Sequence, residues 1–215
     1  MISTHDLSQL PDIARLKAIS QSLAMLDAIL CPKWEYRYYS FNAHWSEDEM
    51  MASMRNGSGD EYFILFTTAG AIIKGFAHEA PMTPYTFDPP HVWPGVLDTV
   101  PSVFAAFLTE PAFIIEDTTF CVWRTYHDSV WHRGTIEFPD DPDPDGSQEL
   151  LAILDGDLQT YQAYAETYYE RSIDLDTVIQ VYNHQPLTDA LVGALNPDLS
   201  FTDISADREE IGYPG

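Results

Sequence analysis

The sequence predicts an α+β fold: a mainly antiparallel sheet of about five strands with an N-terminal helix, an inserted helix and a helical, acidic C-terminal part. Three observations predict it. Apolar residues recur every three or four positions near the start of the chain, alternate with polar ones through its middle, and return to helical spacing after residue 147. Turn-forming residues separate the alternating runs. Strands and helices do not take turns along the chain, which disfavours a doubly wound parallel sheet. The 215 residues suit one domain, since domains commonly run about 100 to 200 residues. Residues 147–215 remain open as a helical subdomain, although the short, proline-stiffened linker before them favours docking on the sheet.

The first helix is expected over residues 11–30, where Ile13, Leu16, Ile19, Leu23, Leu26 and Leu30 form one stripe. Pro11 suits its first turn, and Cys31-Pro32 ends it, because proline disfavours helical geometry in the residue before it. Alternation of Trp34, Tyr36 and Tyr38 with Glu35, Arg37 and Tyr39 predicts a strand running to Phe41. Ser46 to Glu49 has the spacing of a capping box. A strand over Met50–Arg55 is preferred, because Asn56-Gly57-Ser58-Gly59 turns it into Glu61–Phe66 as a hairpin. Thr68-Ala69-Gly70 leads to a further strand, Ala71–Phe76. Six prolines between residues 80 and 101 then preclude regular structure, leaving a long, semi-rigid loop. Pro101 opens the inserted helix, with Val103, Phe104, Phe107 and Leu108 inward, ending before Pro111. Thr118–Thr125 and Val130–Phe138 make a second hairpin, and residues 139–146 alternate Asp with Pro as an acidic loop. Ser147 and Asp157 are placed to cap helices reaching Leu154 and Tyr168; two more helices run from Asp174 to Tyr182 and from Pro186 to Leu195, and the tail from Asp198 to Gly215 is weakly patterned.

Charge restricts function more than any motif does. There are 34 Asp and Glu against 10 Lys and Arg, a formal net charge of -24. From Gly134 onward there are 18 acids and only Arg171 and Arg208 as bases. Nucleic-acid and anionic-lipid binding depend on clustered Lys and Arg, so neither partner is expected. No apolar stretch reaches the roughly 20 residues of a membrane span. The N-terminus has no basic region followed by an apolar core, so a cytoplasmic location is expected, with Cys31 and Cys121 reduced.

The sharpest local pattern, Asp141-Pro142-Asp143-Pro144-Asp145-Gly146, starts like a calcium loop. It lacks the bidentate Glu at the twelfth position, which is Ala152, so a solvated acidic linker is expected and no metal. His127, His132 and Cys121 lack a recurrent zinc spacing. There is no Gly-x-Ser-x-Gly elbow and no phosphate-binding glycine loop, so no cofactor is expected. Arg55, Lys74 and His78, rare bases in this chain, are expected in structural ion pairs.

In size, acidity, α+β order and the lack of a catalytic signature the chain resembles the acidic bacterial immunity proteins that neutralise toxins, with no diagnostic residue shared. The leading expectation is a non-enzymatic binding protein that meets a basic protein partner through Asp141, Asp143, Asp145 and Asp157. The alternative is a hydrolase or metal-dependent enzyme whose site lies under the proline-rich loop 80–101, using His78, Tyr85, His91 and Trp93.

Overall fold

The computed structural model describes residues 1–214. It opens with helix α1 (Ile13–Leu30), capped by Asp12, whose carboxylate accepts a hydrogen bond from the Arg15 N–H at 2.8 Å. Every residue from Ile19 to Leu30 is buried, so the expected apolar stripe belongs to a helix wrapped on nearly all sides. Six strands follow: β1 (Tyr39–Asn42), β2 (Met50–Arg55), β3 (Glu61–Phe66), β4 (Gly70–Phe76), β5 (Phe120–Thr125) and β6 (His132–Arg133). They form one antiparallel sheet in sequence order. Helices α2 (Ser147–Leu151), α3 (Leu158–Tyr169), α4 (Leu175–Tyr182), α5 (Asp189–Leu195) and α6 (Ser205–Ile211) complete the chain, so the α+β architecture is as expected. No helix among the described residues is long and apolar enough to cross a membrane.

Both faces of the sheet are covered, because β3, β4 and β5 are buried on successive residues instead of alternating between core and solvent. On one face Tyr62, Ile64, Ile73, Phe120 and Val122 join α1 and the C-terminal helices in a large core that runs from Ile2 to Tyr213. On the other face Phe63, Leu65, Ile72, Cys121 and Trp123 pack against Met82, Val96, Phe104, Phe107 and Phe113. The long loop is therefore the lid of a second apolar core.

Several expected elements differ. The inserted helix is replaced by two separate single turns of 3-10 helix, Ser102–Phe104 and Phe107–Thr109, and a third, Pro111–Phe113, follows beyond its expected end. Breaking the chain there lets Phe104, Phe107 and Phe113 all point at the sheet, while Val103 stays 56% exposed. The strand expected from Trp34 begins only at Tyr39. Trp34–Tyr36 is a 3-10 turn, bent where the Arg37 Nε–H donates to the Cys31 carbonyl at 2.7 Å. Of Val130–Phe138 only His132 and Arg133 pair with β5. The helix expected from Pro186 starts at Asp189 with Thr188 as its cap, and α6 arises in the weakly patterned tail. Gly215 lies outside the described residues.

Lys74 shows how the second core is tied down. Its side chain is fully buried, its ammonium lies 3.2 Å from Glu61, and it donates to the carbonyls of Phe113 (2.8 Å) and Ile114 (3.3 Å). Burial depresses its pKa, opposed by the Glu61 carboxylate. An ion pair beneath an apolar lid anchors the lid's last turn, consistent with the structural pairing expected of the rare bases. Arg55 likewise lies 3.7 Å from Glu61, and His78 lies 2.7 Å from Asp60.

Candidate functional site

The acidic loop is more ordered than a solvated linker. Asp143 accepts hydrogen bonds from the backbone N–H groups of Gln148 (2.9 Å) and Glu149 (3.1 Å), so it, and not Ser147, caps the first turn of α2. Asp141 accepts from the Asp143 N–H at 2.9 Å. Asp145 is wholly buried, which removes it from any partner-facing surface. Its carboxylate accepts from the Thr4 hydroxyl and from the Ser147 N–H at 3.0 Å, and its carbonyl accepts from Thr119 Oγ1 at 2.7 Å. Burial raises its pKa, while these hydrogen bonds oppose the rise. The loop thus clasps the N-terminal segment to β5. Gly146 closes the clasp at φ +72°, with Ala77 Cβ only 2.2 Å from where a side chain would begin. The three carboxylates of the run turn toward different donors, and among the described residues no cluster of three or more His, Cys, Asp or Glu is placed to hold a metal ion.

Asp157 is exposed and caps α3 through the Gln159 N–H at 2.9 Å. Around it the acidic half is turned outward: of the 18 Asp and Glu from Gly134 onward, 14 are exposed and only Asp145 is buried. The two bases in this part are half buried. Arg171 donates to the Leu30 carbonyl at 2.8 Å, and Arg208 lies over the Phe201 ring at 5.2 Å.

The four residues expected beneath the proline-rich loop do not converge. His78 is held by Asp60 at the β2–β3 turn, and that hydrogen bond raises its pKa above the ordinary imidazole value. Tyr85 is 61% exposed and donates to Asp117 at 2.7 Å. His91 stacks on Phe87 with centroids 4.0 Å apart, and Trp93 donates to the Glu137 carbonyl at 3.1 Å. Only His91 and Trp93 share a neighbour, Phe87. Beneath the loop lie the apolar side chains of the second core. Cys121 is buried among them and its thiol pKa is raised by burial; His132 lies on the surface, 3.6 Å from Asp128.

A feature that sequence reasoning passed over is Asp27, visible only as a break in an apolar run. It is completely buried in α1. Its Oδ2 accepts from the N–H groups of Tyr38 and Tyr39, each at 3.0 Å, and its Oδ1 from the Tyr161 hydroxyl at 3.2 Å. Burial pushes its pKa up to about 6, with those hydrogen bonds pulling the other way. The Tyr169 hydroxyl lies nearby outside hydrogen-bonding geometry, and it joins Tyr164 and Tyr182 as buried hydroxyls without a partner among the described residues. The carboxylate fixes the point where the chain leaves α1 and enters β1.

No family model, no curated protein and no solved structure matches this chain.

Proposed function

We propose that the chain is a non-enzymatic, cytoplasmic binding protein that recognises a basic protein partner through the acids exposed between Gly134 and Pro214. The observation that carries the reading is the outward placement of 14 acids in a segment whose two bases, Arg171 and Arg208, are half buried. Such a surface draws in a cationic partner from a distance and discriminates against anionic ones. Asp141 and Asp157 belong to it directly. Asp143 contributes charge while half buried, and Asp145 contributes none at the surface. Cys31 and Cys121 are both unpaired, which suits a reducing compartment. The dispersal of His78, Tyr85, His91 and Trp93 over an apolar core favours this reading over the enzymatic one.

The test begins with affinity capture from native lysate at low and then moderate salt. The association rate of a captured partner is then followed against ionic strength. Asp140, Glu149, Glu170, Asp176 and Glu209 are exposed, and no hydrogen bond occupies their carboxylates. Replacing them together by Asn or Gln should slow association about tenfold, within the range of electrostatic steering. Glu35→Gln with Glu47→Gln, exposed acids of the first half, should change it little. An association rate indifferent to both salt and the five substitutions overturns the reading.

A further inference from the structure

The geometry points to a second site of opposite character: we infer that a cleft at the β6 edge binds a small organic anion, a carboxylate or phosphate head on an apolar body. The cleft has a volume of about 700 Å³ and lies between the N-terminal segment and residues 129–136. That is the size of a site for a small molecule. Fourteen residues line it; two are arginines, two are histidines, and none is acidic, in a chain with 34 acids. Its floor and rim also carry Leu7, Leu10, Val130 and Ile136, which supply an apolar wall beside the positive charge.

Strand register brings the two arginines together. Arg133 stands opposite Val122, and Arg124 is two residues beyond Val122 on the same strand, so both project from one face of the sheet as diagonal neighbours. The face is the one α1 covers further along, where Val122 enters the large core. Each guanidinium is held by carbonyl oxygens and not by a carboxylate. Arg133 donates from Nε to Thr4 (2.6 Å) and from Nη1 to Gly134 (2.9 Å), and it lies over the Phe138 ring at 4.9 Å. Arg124 donates from Nε to the Asp128 carbonyl at 3.2 Å. Carbonyl contacts fix the orientation of the groups, and among the described residues no carboxylate lies within 4.0 Å of either, although the Thr125 hydrogen bonds and, to a lesser degree, the charge of Arg124 lower the Asp128 pKa. Nη2 of Arg133 and both terminal nitrogens of Arg124 have no hydrogen-bond partner among the described residues, which leaves the geometry that carboxylates and phosphates accept.

His5 packs on the Phe138 ring over which Arg133 also lies, at 4.2 Å between centroids. Beyond the two-residue β6 the backbone N–H groups of Thr135 and Ile136 make no hydrogen bond among the described residues. Asp128 is the competing carboxylate. It stands outside the lining, with Oδ2 taken by the Thr125 N–H (2.8 Å) and hydroxyl (2.7 Å), and Oδ1 3.6 Å from His132.

Titration of the ¹⁵N-labelled full chain with phenyl phosphate, phenylacetate, inorganic phosphate and benzylamine tests the site by amide and guanidinium Nε–H shifts. Either aromatic anion should shift Arg133, Thr135, Ile136 and the Nε–H of Arg124, and which anion binds tighter tells the phosphate source from the carboxylate source. Inorganic phosphate should bind more weakly than phenyl phosphate, because it lacks the apolar body. Arg124→Gln should raise the Kd about tenfold, the loss of one charge-assisted contact, while Arg124→Lys recovers part of it. Arg124 anchors only one carbonyl, so both variants should keep the wild-type melting temperature, which identifies a loss of binding as local. The inference is overturned if neither aromatic anion shifts these groups at about 10 mM, above any Kd of millimolar strength. It is equally overturned if benzylamine shifts them as strongly, or if Arg124→Gln binds as wild type does.

Discussion

Replacing Asp27 by Asn tests the buried carboxyl group with little change of shape. The Asn oxygen takes the place of Oδ2, accepting from the N–H groups of Tyr38 and Tyr39, and its amide nitrogen faces the Tyr161 hydroxyl as a donor. The two proteins therefore differ mainly in one titration. In the folded wild type Asp27 ionises near 6 instead of the ordinary 3.8. The folded state thus holds this proton more tightly than the unfolded chain, and stability rises as pH falls. The full effect is about 3 kcal/mol at 1.36 kcal/mol per pH unit, and about 2 kcal/mol of it falls between pH 7 and pH 4.5. Below about 3.8 both states are protonated and the gain is complete. Asp145, also raised, and Asp60, Asp128, Asp174 and Asp203, all lowered, titrate in both proteins and cancel in the comparison. Urea unfolding at pH 4.5, 5.5 and 7 gives the stability difference, wild type minus variant, which should grow in favour of wild type toward low pH. A difference that changes by less than about 0.5 kcal/mol, or that moves the other way, refutes the assignment of Asp27 as a desolvated acid.

The two cores make contrasting demands on their residues. Leu16→Ala and Phe107→Ala, one in each core and both at 1% exposure or less, should each cost about 2 to 5 kcal/mol in chemical denaturation. Val103→Ala, on an outward position of the same turn region as Phe107, should stay within about 0.5 kcal/mol. Lys74→Met leaves Glu61 with only the longer Arg55 contact and frees two carbonyls, so urea denaturation should show a loss of about 3 kcal/mol. Adding Glu61→Leu should recover part of that loss, and an undiminished loss would mean that the ion pair is not its source. Millimolar calcium should leave the melting temperature unchanged, because the carboxylates at 141, 143 and 145 already serve separate donors. A rise abolished by Asp143→Asn would show that they converge on an ion.

Elements with local causes were legible in the sequence, and elements with distant causes were not. The hairpin at Asn56–Gly59 follows from turn chemistry within four residues, and Asp157 caps its helix as its position implies. The stretch from Ser102 to Phe113 misled because Val103, Phe104, Phe107 and Leu108 fit helical spacing, although the sheet requires Phe104, Phe107 and Phe113 on one side. Helix α6 was hidden because its apolar contacts reduce to Ile211 and the flanking Ile204 and Tyr213. Asp145 reads as one more acid in a run; its burial depends on Thr4, 141 positions away. The pairing of Arg124 with Arg133 depends on the register of β5 and β6, which the sequence between them leaves open.

The lid over the second core consists of turns whose hydrogen bonds reach three residues back, such as Thr83 to Ala80 and Phe104 to Pro101. Few bonds reach further, among them Met82 to Pro144, Tyr85 to Asp117, His91 to Pro84, Trp93 to Glu137, and the Lys74 ammonium to Phe113 and Ile114. Such a layer can lift as a unit without disturbing any strand pairing in β1 to β5, so its free energy of opening rests on apolar contact and a handful of anchors. Amides from Thr83 to Phe113 should therefore exchange with solvent well before those of β3 and β4. While the layer is lifted, Phe63, Leu65, Ile72 and Trp123 form a bare apolar strip on a protein whose helical side is still folded. The route to aggregation for this highly charged chain then starts from partial opening of one face, not from the unfolded state.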